Sequence, residues 1–148
     1  MILDSRLEFA DATSIVHAVG TWLVGNVVDL GGVDQIGGGD QLYLVIQVDT
    51  SVAATGGAAT VAFALASDDS ATIATDGSAT IHYQSKAIAK GSLTAGTYVA
   101  VVEVPSAPAG ERYLGILATA ATNDITTGKI NAFLTADVSA IKTYPNAI

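Results

Sequence analysis

Two histidines, fourteen acidic side chains and no cysteine are the groups through which this 148-residue chain could do chemistry. A transition-metal site needs three or more converging ligands, and neither His17 nor His82 belongs to a His-x-His pair. His82, between Thr80 and Gln84 on an alternating run, reads as a surface or interface residue. Asp68-Asp69 and Asp76-Gly77 are the acidic clusters to weigh for calcium, a hard ion that takes six to eight oxygens. The Asp-x-Asp-x-Asp-Gly loop is missing, so they read as solvated turn caps. Fourteen acids offer many carboxylate pairs for glycoside hydrolysis, but aromatics are 6% of the chain, too few for the usual sugar platforms. Trp22, the sole tryptophan, reads as core or interface. There is no Gly-x-Ser-x-Gly, and neither histidine can be assigned to a serine. Gly31-Gly32 and Gly37-Gly38-Gly39 do not make a phosphate-binding fingerprint. The expectation is a chain with no catalytic, cofactor-binding or metal-ligating residues: a binding or structural part.

The elements that would carry any site are strands. Ile130, Ala132, Leu134, Ala136 and Val138 alternate with mostly polar neighbours, the period of two that marks a half-buried strand. Leu114, Ile116 and Ala118 do the same, and Asn123 to Gly128 supplies turn residues, so Gly110 to Val138 reads as a long antiparallel hairpin. Leu42, Leu44, Ile46 and Val48 form the next clearest face. Ala59, Val61, Phe63 and Leu65 alternate with small residues, which would let another layer come close. Gly25-Asn26 interrupts a strand by a bulge or a tight turn. Gly31 to Asp40 holds five of the fifteen glycines and reads as a surface loop. Pro105 and Pro108 end a strand. About eight strands result, near 5–11, 20–29, 41–49, 58–66, 79–86, 97–104, 112–121 and 129–138. They predict an all-β, single-domain antiparallel jelly-roll sandwich over residues 1–148, with possible flexible arms at 1–4 and 141–148. An immunoglobulin-like sandwich is the rival, without its Cys, Trp, Cys support.

Half of the residues are apolar and the mean hydropathy is +0.48, yet runs such as Leu42 to Ile46 and Tyr98 to Val102 are far below the roughly 20 residues of a spanning helix. The opening Met-Ile-Leu-Asp-Ser-Arg-Leu-Glu brings charge where the apolar stretch of a signal peptide should begin, so signal-directed export is not expected. A formal charge of −8 opposes the Lys/Arg-driven counterion release on which nucleic-acid binding depends. No nucleic-acid or membrane partner is expected.

Three pieces carry a likeness: the start from Met1 to Ala12, Tyr-Leu-Val-Ile-Gln-Val-Asp-Thr at Tyr43 to Thr50, and Arg-Tyr-Leu-Gly-Ile-Leu from Arg112 through Ile-Asn-Ala-Phe-Leu-Thr-Ala-Asp ending at Asp137. Together they resemble the capsid cement, or decoration, protein family of short-tailed bacteriophages related to a Bordetella phage. The resemblance implies a jelly roll on the outer surface of an icosahedral shell. Copies would be made in the host bacterial cytoplasm, pair across local two-fold axes and clamp neighbouring major capsid subunits. It implies a homo-oligomer, dimer favoured, with no enzyme activity and no cofactor. Gly31 to Gly39 and Pro105 to Pro108 are not part of the likeness. A carbohydrate- or receptor-binding β-sandwich using Trp22 or Tyr43 is the alternative, and a jelly-roll enzyme with a metal or paired acids is a third possibility.

Overall fold

The computed structural model describes residues 4–31, 41–104 and 111–141. Nine strands are found among them: β1 (Glu8–Ser14), β2 (Gly20–Asp29), β3 (Tyr43–Ala54), β4 (Thr60–Asp68), β5 (Thr80–Gln84), β6 (Ile88–Ala89), β7 (Tyr98–Glu103), β8 (Tyr113–Ala121) and β9 (Ile125–Thr135). Short 3-10 turns cover Ser5–Leu7, Lys90–Ser92 and Val138–Ile141. The expected loop over 32–40, the proline segment over 105–108 and the arms over 1–3 and 142–148 lie outside the described residues.

One sheet runs β1-β9-β3-β7 and the other β2-β8-β4-β5, with β6 also on β4; every pairing is antiparallel. β1 pairs with β9, β2 with β8, β3 with β7 and β4 with β5, as in a long two-stranded ribbon. Rolling that ribbon brings β9 beside β3 and β8 beside β4 and closes two layers, one of four strands and one of five counting β6, which is the jelly-roll path. The predicted class therefore holds, and the strand order is not the immunoglobulin one. The predicted hairpin from Gly110 to Val138 does not hold. β8 and β9 belong to opposite sheets, and the polar turn at Thr122–Asp124 carries the chain across the sandwich. Each strand finds its ladder partners elsewhere, β8 between β2 and β4 and β9 between β1 and β3.

The interior follows the period-two pattern. Leu44, Ile46 and Val48 on β3 and Ile130, Ala132 and Leu134 on β9 face Val61, Phe63 and Leu65 on β4 and Leu114, Ile116 and Ala118 on β8, all buried. Each large side chain removed from water contributes about 1.5–3 kcal/mol. A smaller apolar cluster lies on the other face of the second sheet, where the connector between β4 and β5 seats Ile73 on Ala64, Ala66 and Leu117. The small residues on that face of β4 are what let the connector approach.

Two bulges join the sheets at their shared border. β2 shifts register between Val24 and Val28, and Gly25 sits there at φ +68 against the Phe9 carbonyl of β1. The interruption at Gly25-Asn26 is thus a bulge inside one strand. In β1, Ala12 takes φ 43, and its amide donates to the Asn131 side chain of β9 at 2.7 Å.

Candidate functional site

Ser67 continues the inward row Val61, Phe63, Leu65 and closes that end of the core with a polar group. It is fully buried. β4 places it opposite Thr80 on β5 and Leu114 on β8. Between Leu65 and Ala66 the β4–β5 register skips His82, so His82 is the extra residue of a bulge, a device that re-aims a side chain. Its Nε2 lies 2.7 Å from Ser67 Oγ. The Ser67 hydroxyl donates to Glu111 Oε2, and Thr80 donates to Glu111 Oε1 at 2.9 Å. Since the serine proton is directed at the carboxylate, His82 Nε2 carries hydrogen and donates to Ser67. His82 is therefore a half-buried, bonded residue, which corrects its reading as a surface or interface position. Burial pushes its pKa below the ordinary histidine value, and the Glu111 carboxylate pulls the other way without prevailing.

A serine, a histidine and a glutamate in contact invite comparison with hydrolase triads. In those the carboxylate orients the histidine, and the histidine takes the proton of an accessible serine. Here the carboxylate holds the serine, the histidine donates, and Ser67 has no exposed surface. What this arrangement does is tie the residue leading into β8 to β4 and β5.

The acidic clusters are likewise committed to the backbone. Asp68 accepts the amides of Ser70 at 3.1 Å and Ala74 at 3.0 Å, and Asp76 accepts the amide and hydroxyl of Ser78 at 3.0 and 2.6 Å. Hydrogen bonds from the Ala74 and Ser70 amides lower the Asp68 pKa, and the Ser78 hydroxyl and amide lower that of Asp76. These carboxylates cap their own turns, as expected. Among the described residues no three acidic or histidine side chains cluster as a metal site would require.

His17 is at the opposite end of the sandwich from His82, in the connector between β1 and β2. Its backbone exchanges hydrogen bonds with Ile125 at 3.2 and 2.9 Å, its Nδ1 donates to the Ala18 carbonyl at 2.8 Å, and its ring stacks on Trp22 at 4.3 Å with 6° between the planes. Trp22 is half-buried against the core, in keeping with the core-or-interface reading. Asp124 fastens three connectors here, its side chain accepting from Val19 at 2.9 Å and its carbonyl from Thr55 at 2.9 Å. In the same connector Val16 and Val19 are 52% and 51% exposed, the two most exposed large apolar side chains among the described residues. Apolar side chains on a connector held by so many fixed bonds lose little freedom when covered. Its nature was hidden in the sequence because Thr13 to Val19 has no clear periodicity.

A shallow groove of about 220 Å³ crosses the outer face of the second sheet, with Thr21, Ala64, Thr75, Ile81, Gln84 and Leu117 among its walls. It brings together no titratable side chain. Tyr43, the other candidate sugar platform, is half-buried on β3, far along the opposite sheet.

Comparison with known proteins gives one family. The Bbp16 family model matches residues 9–134, from the second residue of β1 to the last but one of β9. No curated protein matches the sequence.

Proposed function

The chain belongs to the Bbp16 family, a name that points to a Bordetella phage protein, and from that premise we propose that it is a capsid cement protein. In this reading it binds the outer surface of a tailed-phage icosahedral shell, is homo-oligomeric, clamps neighbouring major capsid subunits and catalyses no reaction. It is made in the host cytoplasm and ends in the virion.

The observation that carries the reading is the end surface of Val16, Val19 and the His17–Trp22 stack. It is apolar, exposed and rigidly mounted, whereas the polar clusters are spent on holding turns. A grip of this size need not be tight by itself, because two grips on one oligomer raise each other's effective concentration to the millimolar range. The net charge of −8 discourages adhesion to nucleic acid. A sugar-binding role for Trp22 is less favoured, since its ring is already stacked on His17 and packed on the core.

The test is co-sedimentation of the purified chain with expanded shells of the parent phage's major capsid protein. Stoichiometric binding is expected, with exterior density by electron cryo-microscopy, and at least tenfold weaker binding for Val16→Asp combined with Val19→Asp. No binding by the folded wild-type chain, or density confined to the tail, would end the proposal. Reproducible glycan-array hits lost in Trp22→Ala or Tyr43→Ala would favour the alternative.

A further inference from the structure

Asp76 is followed by Gly77, and none of the chain's other aspartates or asparagines precedes a glycine. The two residues lie in the connector between β4 and β5, both exposed and outside any strand. Gly77 has no Cβ to keep a neighbouring group from its nitrogen. It holds φ +94, and a Cβ there would meet nothing within 4 Å, so the turn stands in open space. Its amide has no hydrogen-bond partner among the described residues. Beside it the Asp76 side chain is folded back along the chain: Oδ1 accepts the Ser78 amide at 3.0 Å and the Ser78 hydroxyl at 2.6 Å, the turn in which an aspartate bonds its own backbone two residues on. A carboxyl group fastened to the nitrogen of Ser78 lies over the peptide between, whose nitrogen is that of Gly77.

We propose that Asp76 is a site of spontaneous backbone modification, converting through a cyclic imide to isoaspartate while the protein stays folded. The Gly77 nitrogen bonds to Asp76 Cγ as the Cγ–Oδ2 bond breaks. Oδ2 leaves as water, carrying the acid proton and the proton of the amide. Negative charge that gathers on Oδ1 during the attack meets two donors already in place, the Ser78 amide and hydroxyl. Water then opens the five-membered imide. Entry at Cγ restores aspartate. Entry at the former Asp76 carbonyl carbon leaves the chain running through Cβ and Cγ, one methylene longer, with a free carboxylate on Cα. One water leaves and one returns, so mass is unchanged and no oxidant or reductant takes part. The same Ser78 bonds lower the Asp76 pKa and keep the carboxyl mostly ionised, which makes the conversion slow. Its consequence is local. The connector seats Ile73 outside the main core, and Thr75 and Gly77 wall the groove on that face, so a longer backbone loosens this edge and leaves the two sheets intact.

The test holds the folded full-length protein at physiological temperature and neutral pH, with circular dichroism confirming that it stays folded. Samples taken over time are methylated by an isoaspartyl methyltransferase with S-adenosylmethionine and mapped by mass spectrometry. Label should accumulate at Asp76 and at no other aspartate. In the aged fraction hydrogen exchange should speed at Ser78, whose amide loses its acceptor, while the amides of β3 and β9 keep their protection. Asp76→Asn should convert sooner than the wild type, because its side chain is not ionised and loses ammonia, and the change is read directly as a gain in mass from amide to acid. Asp76→Glu keeps the charge but would have to close a six-membered ring, and should take no label. A synthetic peptide of the sequence Ala74–Ala79 is the unfolded control. Label in the peptide with none in the folded chain would mean that the turn protects Asp76 and would overturn the proposal. Label spread over several aspartates, or Asp76→Glu labelled as fast as the wild type, would overturn it too.

Discussion

Gly25 on β2 lies so near the carbonyl oxygen of Phe9 on β1 that a side chain at 25 would overlap it. This is where the border strands of the two sheets touch. Gly25 also holds φ +68, where a side chain alone costs roughly 1–2 kcal/mol. Gly31 has nearly the same backbone angle, φ +63, with nothing near its hypothetical Cβ. Gly31→Ala should therefore cost roughly 1–2 kcal/mol, and Gly25→Ala at least about 2 kcal/mol more because backbone must move. Urea denaturation of both variants checks this, and equal losses would mean that the contact with Phe9 is unimportant.

His82 gives the fold a pH response of definite sign. Burial holds its pKa below the ordinary 6.5, against the pull of Glu111. The unfolded chain therefore binds more protons than the folded one just below pH 6.5, and the stabilisation is full above that value and fades as pH falls through the folded pKa. His82→Gln keeps a donor toward Ser67 but cannot titrate. Thermal melting from pH 7 down to about 5 should show the wild type losing Tm faster than His82→Gln. Parallel curves would sink the assignment.

What the sequence disclosed follows from what period two can encode. Leu44, Ile46 and Val48, or Val61, Phe63 and Leu65, declare a buried face by their spacing, and nearly every strand was placed within a few residues. Partnership is another matter. The residues of β8 and β9 look the same whether the two strands pair with each other or with β2, β4, β1 and β3, so the Asn-Asp turn at 123–124 read as a hairpin when it is a crossing. The Ser67 cluster was half visible, because a serine following Val61, Phe63 and Leu65 on an inward row needs a buried partner. That the partners are His82, turned by a bulge, and Glu111, 44 residues away, depends on register, which composition does not carry. Val16 and Val19 gave no sign, since isolated valines look alike whether exposed or covered.

Asp29 and Arg112 join the end of β2 to the start of β8 through two hydrogen bonds of 2.7 and 2.8 Å. The Arg112 guanidinium, helped by the Gly31 amide, lowers the Asp29 pKa from 3.8 to about 2. With the folded value depressed, the stabilisation is present above pH 3.8 and is lost as pH falls toward 2. Both side chains are about half exposed, so salt should screen the pair and its removal should matter little at neutral pH. Carboxyl-carbon NMR should find Asp29 titrating near 2 in the wild type and closer to 3.8 in Arg112→Gln. An unmoved midpoint would assign the shift to the Gly31 amide alone.

Ile73 is 1% exposed yet belongs to the cluster outside the main core, seated where Gly115 leaves it room: a Cβ at 115 would come within 2.9 Å of its Cγ1 and 2.8 Å of Leu23 Cδ1. It is the chief apolar anchor of the connector between β4 and β5, whose other ties include the Asp68 bonds to Ser70 and Ala74. Ile73→Ala should therefore cost about 2–3 kcal/mol, the low end for a buried isoleucine, because the connector can settle into the space. Ile81→Ala, 46% exposed on the neighbouring strand, should cost less, under about 1 kcal/mol. Hydrogen exchange gives the sharper reading, since loss of a local anchor should speed exchange at Ala74 while the amides of β3 and β9 keep their protection. Uniform acceleration across both sheets would instead make Ile73 part of the global core.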